Sequence, residues 1–393
     1  MRRLILLLLL TAGCHADDRS AASKSNLGLS ESKVASVDLE FTCQVERFPQ
    51  VSPESDLLFK YARWLQKGNL LKGDSVVNAE VERLYRVSAE QGHSKVNINL
   101  QNGSMRGEFE LRGHEHLRLS QELIDTNVAT GYYFVAIFLR QGSAGLAQDG
   151  EMVLRYFRKA ADEGSSSAQE YVANKLAPID IAPDVAVGMR ICAAGQGNGN
   201  TAVASAIRYK RIEDYENALR YFQIAAAAGH GNGASFLAKG FRNQSSPDAL
   251  YYLGQQEDLE RADRYKKIWR ILSNYSYANP KVPEINEIVP LPPAKLPPWD
   301  GKLQWLEERL ANIPPPKPDE SLIEKLAKEK GLDPATGKPL PGTPAFKAEH
   351  VPSGACNHDQ RCPPERWVLN KALTPPFDKS DLKGRPDHAG QSA

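Results

Sequence analysis

Five cysteines and a few histidine- and glycine-centred clusters are the residues of this 393-residue chain with chemistry to offer. Cys356 and Cys362 bracket Asn357-His358-Asp359-Gln360-Arg361. With His358 they supply three zinc-type ligands, one short of a closed tetrahedral site. The alternative is a disulfide, and compartment decides between the two. Met1-Arg2-Arg3, the run Leu4 to Leu10 and then Thr11-Ala12-Gly13 give a basic start, a short apolar stretch and small residues. That is the pattern of a secretion signal, and the run is too short to span a bilayer. An exported chain meets oxidising surroundings, so Cys356–Cys362 reads as a disulfide stapling a segment poor in apolar residues. Cys192 lies beside Ala193 and Ala194 on an apolar helix face. It reads as a small core residue rather than as the partner of Cys43.

Other clusters carry less. Gly195-Gln196-Gly197-Asn198-Gly199 has dinucleotide-loop glycines but follows a helix, whereas that loop must follow a strand and open a helix. It reads as a turn. His114-Glu115-His116 has neither a third ligand nor a helical i, i+4 histidine pair, and reads as a solvated loop. No Gly-x-Ser-x-Gly elbow, phosphate-binding Walker loop or His-Glu-x-x-His occurs, so no enzyme class and no cofactor is indicated. The segment 102–113 is long for a helix connection. It holds Met105, Arg106, Glu108, Phe109, Glu110 and Arg112, with Met105 and Phe109 reading as exposed. It is either a tolerated insertion or a recognition loop on a rigid scaffold. Tyr132 and Tyr133 belong to an aromatic cluster, mostly core, from which one or two rings are expected to reach the surface.

The elements that must hold these residues follow a repeat. Leu84-Tyr85…Ser88-Ala89…Gly92, Leu123-Ile124…Gly131, Tyr156-Phe157…Ala160-Ala161…Gly164, Met189-Arg190…Ala193-Ala194…Gly197 and Tyr221-Phe222…Ala225-Ala226…Gly229 share one pattern. The glycines are 39, 33, 33 and 32 residues apart. The second copy is worn, with Asn127 and Val128 at the small positions. Positions −8, −7, −4 and −3 from the glycine share one helix stripe. The bulky pair fills a core, the small pair admits a neighbouring helix, and the glycine closes the helix in the left-handed region. Asp149 and Asp214 stand where N-caps belong. Partner helices are predicted near 56–66, 132–140, 168–176, 202–209 and 235–242, with a long helix over 259–275 capping the stack. A period in the thirties predicts an all-α solenoid whose pairs are stable only when stacked.

Of 26 prolines, 20 lie between Pro280 and Pro376, so the last third obeys different rules. Residues 279–301 are expected to be extended rather than helical. Ile285, Ile288, Val289, Leu291 and Trp299 are too many apolar residues for a free linker. The segment is predicted to pack along the solenoid and cover its last open face. Two short amphipathic helices are expected at 301–312 and 320–330, with Leu322, Ile323 and Leu326 facing one way. The region 331–393 reads as turn-rich, anchored by the Cys356–Cys362 loop and Trp367. The formal charge of +1, which becomes −1 when residues 1–13 are removed, argues against nucleic acid as the main partner. The order is thus a signal at 1–13, a flexible tether at 14–40, a repeat domain at 41–275 and a proline-rich extension at 276–393.

Two resemblances give this order a meaning. Ala12-Gly13-Cys14 resembles the lipobox of bacterial lipoproteins, although Thr11 stands where that family most often has Leu. The resemblance implies acylation of Cys14, which becomes the mature N-terminus. His15 rather than Asp follows it, which implies retention at the outer membrane, facing the periplasm. Gly142 to Asp149 followed by Leu154-Arg155-Tyr156-Phe157-Arg158-Lys159-Ala160-Ala161-Asp162-Glu163-Gly164 resembles a Sel-one-like repeat, a relative of the tetratricopeptide repeat. That implies a right-handed α-α solenoid with little or no β structure. Arg261-Ala262-Asp263-Arg264-Tyr265, the run Val282 to Pro293 and Leu296 to Gly301 resemble the extension of a set of bacterial repeat lipoproteins similar to type VI secretion immunity proteins. The implied partner is a secreted lipase effector of the phospholipase D type, occluded at its active site, with no small-molecule substrate. The remaining class is a general envelope scaffold. On this reading Met105, Arg106, Glu108, Phe109, Glu110, Arg112, Tyr132 and Tyr133 are the expected partner-binding residues.

Overall fold

Each repeat needs a residue to start its helix and a residue to stop it. Asp149 accepts hydrogen bonds from the backbone N–H groups of Glu151 and Met152, and Asp214 accepts from that of Asn217. Asp74 and Asp258 do the same for their helices. Each satisfies first-turn donors that have no partner within the helix. Gly92, Gly164, Gly197 and Gly229 close four helices at φ of 86°, 108°, 84° and 86°. The computed structural model describes residues 40–177, 182–242 and 246–349. Cys14 with its signal and tether, and the expected Cys356–Cys362 staple with Trp367, lie outside the described residues.

Twelve helices stack as six pairs. They are α1 (Pro53–Asn69) with α2 (Ser75–Glu90), α3 (Ser94–Met105) with α4 (Gly113–Asp125), and α5 (Thr130–Gln141) with α6 (Gly150–Asp162). Then come α7 (Ser166–Leu176) with α8 (Pro183–Gly195), α9 (Gly199–Arg211) with α10 (Tyr215–Ala227), and α11 (Gly231–Gly240) with α12 (Leu259–Asn274). The fold is an all-α solenoid. Among the described residues the only β pairing is an isolated Leu332–Pro339 bridge. The stripe behaves as its chemistry demands. Tyr156, Phe157, Ala160 and Ala161 are buried, as are Tyr221, Phe222, Ala225 and Ala226. The small pairs let α7 and α11 approach so closely that larger side chains would overpack the seam.

The second copy corrects the expected register. Its helix is closed by Asn127 at φ 58°, not by Gly131, which lies inside α5. The closing residues are therefore 92, 127, 164, 197 and 229, and Leu119, Ser120, Leu123 and Ile124 occupy the stripe. Gly131 has a different task. A Cβ there would come within 2.6 Å of the Ser120 carbonyl oxygen. Gly233, also four residues past its closing residue, would meet the Phe222 carbonyl at 2.6 Å. Glycine serves both helix closure and close helix approach, so a single glycine does not announce which.

Two straps tie the stack along its length. The first is residues 40–51, which run back over the turns of the middle repeats. Glu46 Oε1 and Oε2 accept from the N–H and hydroxyl of Thr130 at 2.6 and 3.0 Å. Gln169 Nε2 donates to the Gln44 carbonyl. Cys43 is bonded to Cys192 in a disulfide between positions 149 apart in sequence. Cys192 is thus both core residue and crosslink, which corrects the expectation that it stood apart from Cys43. Only a tertiary path brings two cysteines so distant in sequence together.

The second strap is the proline-rich extension, and it covers the last pair as expected. Val282, Ile285, Val289 and Leu303 are buried against α10, α11 and α12. The Val282 N–H donates to the Ala227 carbonyl, and Arg264 donates to the Ile288 carbonyl. Arg261 donates to those of Pro290 and Ala294. Residues 279–301 are not wholly extended, because a single turn α13 (Ile285–Ile288) forms between prolines. The strap then continues through α14 (Gln304–Ala311) and α15 (Glu320–Glu329) to α16 (Pro344–Glu349). It returns to the first repeats. Ile323, Leu326, Ala327 and Leu332 share a core with Leu58, Leu84 and Val87, and Trp64 Nε1 donates to Asn312 Oδ1 at 3.1 Å. The final helix expected to cap the stack is itself capped.

Candidate interaction surfaces

The 102–113 segment folds down rather than out. Phe109 is only 5% exposed and packs edge-on to Tyr85 at 5.9 Å. It fits because Gly103 has no side chain, since a Cβ there would lie 2.1 Å from the Phe109 ring. The expectation of an exposed Phe109 was wrong because a loop aromatic beside a helical glycine finds a ready-made slot. Gln66 donates to Glu108 at 2.8 Å, and Arg106 Nε donates to the same carboxylate at 2.7 Å. Burial alone would raise the Glu108 carboxyl, but these bonds hold it below the ordinary range. Arg86 donates to the Glu110 carbonyl, and the Glu110 N–H donates to Glu82. Met105, Arg106, Glu110 and Arg112 keep exposed side chains. Tyr132 and Tyr133 are half-buried on α5, and among the described residues no hydrogen bond or ring contact joins them to the loop.

His114-Glu115-His116 is helical, not a solvated loop. Glu115 is buried in an ion pair with Arg86, which Glu82 also holds at 2.9 Å. His116 bridges Gln101 and Ser104, each at 3.2 Å. Burial, with help from Arg86, pulls the His116 pKa down to about 4, so the ring is neutral in the fold. Beside this network α16 docks. Arg118 meets Glu90, Glu122 and Glu349 at once, joining α2, α4 and the end of the strap. Burial and Glu90 push the Glu122 carboxyl up to about 7 against the pull of Arg118. These groups lock the tail to the first repeats.

Between the straps lies an open polar cavity of about 520 Å³. Most of its polar groups satisfy one another, His230 Nδ1 being left without a hydrogen-bond partner among the described residues. Glu170 accepts from Asn198 and Asn200, His230 Nε2 meets Asn200 Oδ1 at 3.1 Å, and Lys281 donates to the Ala228 carbonyl. The Gly195–Gly199 run is the α8–α9 turn at its wall, as the turn reading required. Among the described residues no group of histidines, cysteines and carboxylates is placed to hold a metal. None of their helices is long and apolar enough to cross a membrane.

A different surface runs across α5 to α10. Tyr133 packs edge-on to Phe157, whose ring stacks on Tyr171 at 3.7 Å. Arg140 lies over both Phe157 and Tyr171, at 5.8 and 5.9 Å, and Lys175 over Tyr171 at 5.7 Å. One turn on from Tyr171, Asn174 accepts from Arg190 at 3.1 Å. Burial and the neighbouring Arg208 hold the Arg190 pKa below its usual value. Beyond Arg208, Tyr209 stacks on Tyr221, with Arg220 over it. Arg140, Lys175 and Arg208 end partner helices in turn, where a cation also complements the helix dipole. That recurrence was the readable signal. The contiguity of the track was not, because it joins residues some 80 positions apart.

A family model described as a domain of unknown function (DUF6396) matches residues 233–340, the last helical pair together with the strap down to Leu340. No curated protein matches. Among solved structures, the chain is similar to immunity protein PA5088 from Pseudomonas aeruginosa, with 24% identity, 64% of this chain and 94% of that one covered, and a TM-score of 0.51. It is also similar to immunity protein Pa5087 of the same organism, with 22% identity, 65% and 95% covered, and a TM-score of 0.50. A Sel1 repeat protein from Oxalobacter formigenes matches with 19% identity, 56% and 87% covered, and a TM-score of 0.37. The two Pseudomonas likenesses establish a repeat solenoid shared over nearly the whole length of those chains.

Proposed function

We propose that this chain is an immunity protein. It binds a secreted phospholipase effector of the phospholipase D type, delivered by type VI secretion, and neutralises it by covering the active site. The observation that carries the reading is the fold shared with two proteins named as immunity proteins over about 95% of their length. The solenoid supplies what the task needs, a rigid extended surface with both ends tied down. In this reading the Cys14 acyl anchor holds the protein at the periplasmic face of the outer membrane, where a phospholipase does its damage.

The test is protection. A phospholipase D-type effector of the same host, sent to the periplasm of a sensitive strain, should stop growth, and co-expression of this chain should restore it. Continued lysis despite stable expression would refute the reading, and capture of many unrelated envelope proteins would favour a scaffold. The anchor is tested separately with Cys14→Ser, which should abolish radioactive palmitate labelling.

A further inference from the structure

We propose that the cationic and aromatic track from Arg140 through Tyr171, Lys175, Arg190 and Arg208 to Arg220 is the docking surface for an acidic, tyrosine- or leucine-bearing segment of the effector protein. The inference rests on the immunity reading and deepens it by naming the surface and the chemistry of its partner.

Three observations point to an anionic occupant. Among the described residues none of these five cations has a carboxylate within 4 Å, whereas neighbouring Arg155, Arg158 and Lys159 are each paired on their own helix. Glu170, on the same helix as Lys175, spends its two oxygens on Asn198 and Asn200. Arg190 and Arg208 stand close enough to repel, and the buried Arg190 Nε has no hydrogen-bond partner. Like charges held together with a donor unmet are a cost that a bound carboxylate relieves.

The track also differs from a simple basic patch. Arg140 and Lys175 flank the half-buried Tyr171 ring, a flat apolar platform between charges, while Arg140 and Arg220 also lie over the buried rings of Phe157 and Tyr221. Arginine and tyrosine together are the composition that anchors protein–protein contacts. Nucleic acid is the weaker fit, because the whole chain carries a formal charge of only +1.

The experiment compares the full-length protein with the double variant Arg140→Glu/Lys175→Glu. Both positions are exposed, so the fold should survive, and an unchanged melting temperature checks that. A second double variant, Lys72→Glu/Lys317→Glu, makes the same charge change at exposed sites off the track. Two probes are used, a catalytically inactivated phospholipase D-type effector of the same host and a random glutamate–tyrosine copolymer. Wild-type protein should bind both, more weakly as salt rises. The track variant should lose on the order of 100-fold in affinity for both while the control loses little. Equal lipase binding by the track variant would overturn the docking surface and leave the immunity reading standing. Copolymer binding lost in the track variant, with no lipase binding by wild type, would keep the surface and sink the immunity reading. Preferential binding of single-stranded DNA, or dimerisation through the track seen by light scattering, would overturn the proposal.

Discussion

The end of the solenoid where the strap returns and the face across its middle repeats use the same residue types in opposite ways. At the returning end, Arg83 meets Glu80 and Glu320, Arg86 meets Glu82 and Glu115, and Arg118 meets three carboxylates. Every one of these arginines holds one segment of the chain to another. Across α5 to α10, Arg140, Lys175, Arg190, Arg208 and Arg220 lie on rings or beside one another. The difference teaches that charge in this protein is divided by task. Where the chain must close on itself, cations are turned inward and neutralised. Along the track, among the described residues, they are left without carboxylates, while Arg155, Arg158 and Lys159 beside it are paired within their own helix. Burial sharpens the first case, since an ion pair taken from water must be complete to be worth forming.

That contrast can be broken by substitution. The largest effect is expected from Arg118→Met, which strands Glu90, Glu122 and Glu349 together. It should cost about 3–5 kcal/mol, with α16 released first; a melting temperature equal to wild type would contradict it. Next come the closing glycines under and away from a strap. A Cβ on Gly164 would lie 2.6 Å from the Glu46 nitrogen, whereas Gly197 has nothing within 4 Å. Both pay for a positive φ, but Gly164→Ala should cost about 1–3 kcal/mol more than Gly197→Ala in urea titrations. Equal costs would mean the first strap does not press on the turn.

Smaller shifts test the charges one at a time. The Glu122 pKa is raised from 4.5 to about 7, so its contribution is full below pH 4.5 and is lost as pH rises towards 7. Glu90, Glu349 and Arg118 are the charged groups facing it. Glu122→Gln should flatten that decline and stabilise the protein at pH 8. The gain should be only a few tenths of a kcal/mol, because 40% of the side chain remains in water. A steeper pH dependence in the variant would be the wrong sign. Smallest of all, Arg190→Met should leave stability within about 0.5 kcal/mol of wild type, since it removes a repulsion along with a contact. A loss comparable to that of Arg118→Met would erase the distinction between the two regions.

Much of the repeat was legible because it is periodic. The bulky and small pairs, the caps at Asp149 and Asp214, the partner helices and the capping helix all follow from rules that act within one helical turn or between adjacent helices. The strap was legible in part, since apolar residues among prolines have to be buried somewhere. The expected interface was read least well. Phe109 and Glu115 have sequence neighbours typical of surface, yet a slot made by Gly103 and a charge supplied by Arg86 draw them inside. The unpaired track went unread for a related reason. A cation at a helix end looks the same whether or not a carboxylate waits across a gap of many residues.

By itself, then, the amino-acid sequence determined an all-α repeat stack and the need for a covering segment. Helix closure, capping and stripe packing are local, and each repeat states them again. Only the tertiary structure decided that Cys43 reaches Cys192 and that Asn127, not Gly131, closes the second helix. It also decided that the strap runs the length of the stack to meet Arg118, and that, among the described residues, the cations from Arg140 to Arg220 along the track meet no carboxylate. Those outcomes depend on which distant groups arrive at the same place, and local chemistry carries no record of arrival.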